Sequence, residues 1–236
     1  EGQSWEPIGN PTRPFIGNFD GSGYKITGLI INSESDYIGL FGQNNGLIKN
    51  LTLENVNVIG NSYVGALVGN NTGIVKNVNV ISGTVEGKTE RVGGLLGNST
   101  GTIETCYATI PVIGEKYVGG LAGLASGTKN KIYATGNVKG TTAIGGLLGS
   151  SVYGLSNAYA TGKVEGETNV GGLIGETTGD WQSITNSYAI GEVTGTTNVG
   201  GLVGTASRMG SSNSYFIPET TKQDTSSLGT VNTVQK

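Results

Sequence analysis

The sequence predicts an all-β chain wound as a parallel β-helix: a β-solenoid of about seven coils of 26–29 residues, three short strands per coil, capped at both ends. Three observations carry that expectation. The first is a ruler. The phrase Val92-Gly-Gly-Leu-Leu-Gly97 recurs with its closing glycine at Gly42, Gly69, Gly97, Gly123, Gly149, Gly175 and Gly204, in steps of 27, 28, 26, 26, 26 and 29 residues. A fixed period of this size marks units that cannot bury their own apolar face and so stack on their neighbours. The second is composition: of 236 residues 43 are glycine and only 13 % are charged, and Asn, Thr, Ser and Val replace the residues that fill helices. The third is the spacing inside a period, about 8 residues from glycine phrase to asparagine, 7 or 8 to a valine, and 11 or 12 back to the glycine. A leucine-rich repeat of similar period shows a leucine scaffold, and a propeller blade needs about 40 residues or more.

Residues 1–36 are irregular, with aromatics and prolines in Trp5-Glu-Pro-Ile-Gly and Phe15-Ile-Gly-Asn-Phe19, and are read as an N-terminal cap. Asp20-Gly-Ser-Gly23 lacks the further carboxylates of a calcium loop and reads as a tight turn. Residues 37–204 form the repeats. Their first segment carries an apolar column of Ile38, Val64, Val92, Val118, Ile144, Val170 and Val199, and another of Leu40, Leu67, Leu95, Leu121, Leu147, Leu173 and Leu202. Valine and leucine three apart break strict alternation, so the Gly-Gly between them should bulge or bend if both point inward.

The second segment carries Asn50, Asn77, Asn157, Asn186 and Asn213 at one register, with Thr105 and Lys131 in the gap. Repeated asparagine at a corner is read as an amide ladder bonding coil to coil. Just beyond it, apolar Leu51, Val78, Cys106, Ile132 and Ala158 alternate with a column of Tyr107, Tyr133, Tyr159, Tyr188 and Tyr215. Register places the tyrosines outward, while the small residues beside them leave open a second arrangement in which the rings fill the core. The third segment is a strand with one buried face, marked by Val58, Val85, Val112, Val138, Val164 and Val193; on its open face Lys139 should lie about 4.8 Å from Glu165 of the next coil. The 29-residue step comes from three extra residues between Gly175 and Asn186, which place Asp180 and Trp181 on a longer loop, either as part of a binding face or folded over an apolar edge. Residues 205–236 are polar, proline-marked and aperiodic, and read as a C-terminal cap and the start of a linker.

A net charge of −3 offers no polybasic track, so nucleic acid is a poor partner. No apolar run approaches the ~18 residues of a membrane span. The one cysteine, Cys106, sits in an apolar column and is expected to pack rather than react. Glu1 in place of Met suggests a processed form or an excised segment.

The opening Trp5-Glu-Pro-Ile-Gly, the stretch Phe19-Asp-Gly-Ser-Gly-Tyr-Lys-Ile-Thr-Gly-Leu29, the repeated Val-Gly-Gly-Leu-x-Gly and the Asn-Ser-Tyr-Ala strands resemble the GLUG-motif repeat family of bacterial surface proteins. The resemblance covers nearly the whole chain. It implies an extracellular setting within a larger exported or wall-attached protein, of the adhesin-like or immunoglobulin A peptidase-associated kind. No catalytic residue carries over, and with zero histidine this segment has no H-E-x-x-H zinc site.

Three functions are weighed. The first is a non-catalytic rigid spacer or adhesion domain for a carbohydrate or host protein, with Tyr107, Tyr133, Tyr159, Tyr188, Tyr215, Asp180 and Trp181 as candidate binding residues and no cofactor or metal. Against it stands a purely structural tyrosine stack. The second is a polysaccharide-cleaving β-helix enzyme, which needs converging carboxylates. Glu86, Glu104, Glu115, Glu165 and Glu192 scatter over different columns instead. Ice binding is remote, since Ile190 interrupts the aligned Thr109, Thr135 and Thr161.

Overall fold

The computed structural model of the protein describes residues 4–179 and 183–231. Its strands form four parallel sheets of ten, seven, six and seven strands, wound around one axis. One coil illustrates the path: Lys116–Gly119, Ala122–Ala125, Lys129–Ala134 and Val138–Lys139, each pairing with its counterpart one coil away. Register is the one the ruler implies, with Val92 beside Val118, Val118 beside Ile144 and Ile144 beside Val170.

Each coil has four strands, not the three expected. The glycine phrase divides into two, ending one strand at Gly119 and starting the next at Ala122. The bend between them lets both apolar columns face inward: Val92, Leu95, Val118, Leu121, Val170 and Leu173 are all fully buried. Glycine is required at the bend, because a Cβ on Gly94 would run into the carbonyl of Gly120 and one on Gly120 into that of Gly146.

Two further corners are made by single left-handed residues. Immediately before each Val-Gly or Ile-Gly, Tyr37, Tyr63, Arg91, Tyr117, Ala143, Asn169 and Asn198 have φ between 53 and 62°. At the asparagine register, φ lies between 49 and 55° from Asn50 through Asn213, Thr105 and Lys131 included. Asparagine tolerates this conformation better than other residues with a Cβ, which is a second reason for its recurrence there. The expected ladder is present in part, with Asn77 Nδ2 donating to Asn50 Oδ1 (2.8 Å), Asn50 Nδ2 to Asp20 Oδ1 (3.0 Å) and Asn213 Nδ2 to Asn186 Oδ1 (2.7 Å), but with no bond between Asn157 and Asn186 among the described residues. Across the gap, Asn157 Nδ2 reaches Asn130 Oδ1 instead (2.8 Å). The Asp20-Gly-Ser-Gly23 stretch is a turn, closed by the Ser22 amide donating to Asp20 Oδ1 at 2.8 Å.

Both ends are covered. At the first coil Phe15 and Phe19 pack on buried Phe41 with ring centroids 5.0 and 5.5 Å away, and isolated bridges join Ile8 to Phe41 and Phe15 to Asn44. At the last coil the chain turns through a short helix, Pro218–Thr221, and returns. Ser226 Oγ accepts from the amides of Leu202 (3.2 Å) and Val203 (2.8 Å), Gln223 Nε2 donates to Val193 O (2.9 Å), and Thr230–Val231 adds a strand beside Gly210–Phe216. Backbone groups that an end coil would leave open are thereby paired.

Candidate functional site

The ten-stranded sheet carries the tyrosine column. In the strands Thr102–Ala108, Lys129–Ala134, Leu155–Ala160, Ser183–Ala189 and Gly210–Phe216, alternation sends Cys106, Ile132, Ala158 and Ser187 inward, each at most 2 % exposed. The tyrosines therefore face outward, as register required. Tyr107, Tyr133, Tyr159 and Tyr188 form one stack, with centroids 4.6, 4.6 and 5.1 Å apart and ring planes within 8° of parallel. Tyr215 continues the register beside Tyr188 and turns its hydroxyl to Asn213 Oδ1.

This geometry limits what the rib can offer. A ring that stacks on both neighbours has neither face open, so the inner tyrosines present only their edges and a row of hydroxyls. Burial, and then the neighbouring phenols of Tyr107 and Tyr159, push the Tyr133 hydroxyl up to about 12; Tyr159 is raised as well, again first by burial. Tyr133 and Tyr159 therefore stay protonated at neutral pH. A second, shorter column has Tyr37 stacked on Tyr63 at 4.6 Å and the Arg91 guanidinium over the Tyr63 ring at 4.6 Å, with Arg91 also bonding the Tyr63 hydroxyl.

Cys106 is 1 % exposed, donates from Sγ to Glu104 O at 3.2 Å, and is pushed up to about 12 by burial. A thiol so rarely ionised is a packing residue. Asp180 and Trp181 lie outside the described residues. Lys139 Nζ approaches Glu165 at 3.9 Å as expected, but Lys163 on the same face holds that carboxylate more closely, at 2.7 Å, and also reaches Glu192 at 3.9 Å. Lys163 is the main reason the Glu165 carboxyl is held below its ordinary value. Among the described residues no group of three or more His, Cys, Asp or Glu side chains is placed to hold a metal, and no helix is long and apolar enough to cross a membrane.

Two residues passed over in the sequence matter. Lys129 occupies a column that is apolar in its neighbours, between Ile103 and Leu155, and is 3 % exposed. Its Nζ donates to Gly127 O (2.7 Å) and Ala125 O (3.2 Å), and burial lowers it to about 7. The reason lies in a second ladder, of buried polar side chains at the corner before the tyrosine strand. Asn44 Nδ2 bonds Asn71 Oδ1 (2.7 Å), Asn71 Nδ2 bonds Ser99 Oγ (3.0 Å), and Ser151 Oγ satisfies the carbonyl of Tyr153 two residues on (2.7 Å). At this register Ala125 has no polar group, and Lys129 bonds the corner carbonyl in its place.

Tyr153 is the other. Two residues after Asn44, Asn71, Ser99 and Ala125 come Gly46, Gly73, Gly101 and Gly127; two after Ser151 comes Tyr153, 51 % exposed. Beside it runs a groove of about 640 Å³ that crosses several coils at this corner. Breaks in the two columns, a lysine among aliphatics and a tyrosine among glycines, were the available signals.

Similarity to known proteins follows the repeats. The GLUG motif family matches residues 166–194. A protein of Evansella cellulosilytica, provisionally named a Gly-rich membrane protein, is 47 % identical over 85 residues, 34 % of this chain and 10 % of its own length. Halomucin of Haloquadratum walsbyi is 38 % identical over 112 residues, 43 % of this chain and 1 % of its own. This chain thus corresponds to a small part of either relative. A solved chain from Bacteroides ovatus, provisionally named an immunoglobulin A1 protease, shares the fold with a TM-score of 0.63 at 18 % identity, covering 99 % of this chain and 81 % of that one.

Proposed function

Taking the chain as a repeat protein built on the GLUG motif, we propose that it is a non-catalytic, extracellular module of a larger bacterial surface protein, a rigid spacer whose tyrosine-ribbed sheet adheres to a carbohydrate or host protein. The observation that carries this reading is the unbroken register of the ten-stranded sheet, with four stacked tyrosines on its open face and both ends of the rod covered. Repetition along an axis gives length and stiffness, and aromatic edges with hydroxyls suit a partner that is part apolar and part polar. The membrane-protein name of one relative, and the small share of each relative that the chain spans, support a segment of a larger protein at a cell boundary.

The test is retention of the purified chain on immobilised extracellular-matrix proteins, compared with Tyr133→Ala and Tyr159→Ala. The reading expects capture by the parent chain that falls at least tenfold in the variants; capture that is unchanged would remove the rib from the site. A non-catalytic role fits the Lys163–Glu165 pairing, which holds that carboxyl below its ordinary value and so disfavours the general-acid role that glycoside cleavage needs. Release of reducing ends from a polysaccharide panel would overturn it.

A further inference from the structure

We propose that the groove beside Tyr153 binds a neutral oligosaccharide, with the Tyr153 ring as its stacking platform. The inference rests on the adhesive reading above and moves the carbohydrate site away from the tyrosine rib. Sugar rings pack their C–H faces on an open aromatic face, and the inner rib tyrosines have none to give. Tyr153 does: it is 51 % exposed, and no ring or cation stacks on it among the described residues.

The walls have the complementary chemistry. The hydroxyls of Thr100, Thr102, Ser126 and Thr128 line the groove and have no hydrogen-bond partner among the described residues. They stand beside Gly101 and Gly127, where a Cβ would run into the carbonyl of the preceding coil, so the floor is bare backbone. Rows of unengaged hydroxyls next to one apolar face match a ligand that is itself hydroxyls around a C–H face. Charge argues for neutrality. Among the described residues no carboxylate lines the groove, and the one cation, Lys129, is buried beneath the floor with Nζ turned to two carbonyls. An anionic sugar would find no ion-pair partner there. The volume of about 640 Å³ lies within the usual range of ligand sites, roughly 300–1,000 Å³. Its run across adjacent coils suits a linear chain lying along the rod.

The probes are neutral tetrasaccharides: β-1,4-glucan, α-1,4-glucan, β-1,4-mannan and β-1,4-galactan, each titrated at up to millimolar concentration and followed by saturation-transfer NMR. The proposal expects at least one to bind the full chain, to bind at least tenfold more weakly to Tyr153→Ala, and to bind unchanged to Tyr133→Ala. Tyr153 contributes only its backbone carbonyl to the corner, so Tyr153→Ala should fold as the parent does. Binding that survives Tyr153→Ala but is lost in Tyr133→Ala would overturn the groove and keep the rib. Failure of every tetrasaccharide, while the parent is still retained on an immobilised matrix protein, would overturn the groove and leave adhesion standing. Failure in both assays would overturn both.

Discussion

Lys129 shows how a single side chain is made necessary by another. A buried lysine is costly, and this one persists because Ala125 leaves a corner carbonyl that sister coils satisfy with Asn71 or Ser151. Lys129→Leu should therefore leave buried carbonyls unpaired. Adding Ala125→Ser, which copies the Ser151 and Leu155 pair of the next coil, should recover about 1–3 kcal/mol of unfolding free energy in urea. The lysine also sets a pH dependence. Its folded-state value is near 7 and its unfolded value 10.5, so over that window the unfolded chain holds a proton the folded chain lacks. Stability should rise with pH between about 7 and 10.5, by up to about 1.4 kcal/mol per pH unit, and the slope should disappear in Lys129→Leu. Denaturant midpoints across that range would check both.

At the scale of the element, the glycine phrase and the tyrosine strand behave differently under substitution. Gly94→Ala places a methyl group against the backbone of the next coil, where no side chain can move aside. It should cost about 1–3 kcal/mol, read as a lower melting temperature. In the rib, alkaline titration followed by tyrosinate absorbance should show inner rings ionising well above the ordinary tyrosine range, with Tyr133 near 12. Tyr107→Ala and Tyr159→Ala, which strip its neighbours, should lower that value. Strand positions were legible because Val92, Val118 and Ile144 recur at a fixed interval and must pair. The fourth strand was not, because valine and leucine three apart signal a bulge or bend at the Gly-Gly without saying that the bend ends one strand and starts another. Outward tyrosines were legible from alternation, yet their mutual stacking, which closes their faces, depends on ring angles that alternation does not encode. Tyr153 and Lys129 were not legible because each occupies its column in a single coil, where the period carries no information about what replaces a glycine or an aliphatic.

For the whole molecule, covered ends decide how it meets other copies. Ser226, Gln223 and the strand Thr230–Val231 occupy bonding groups of the last coil. Ending the chain after Phe216 should expose them and produce concentration-dependent association, seen by light scattering or sedimentation, where the intact chain stays monomeric. Between those ends, every coil offers its upper neighbour the same strand register that it receives from the one below. Excising one full period, from Ile144 through Asn169, brings Val170 into the place of Ile144 beside Val118 and keeps the strand register. Genes for such a rod can thus grow or shrink by unequal recombination, trading reach against cost without any redesign of the parts that remain.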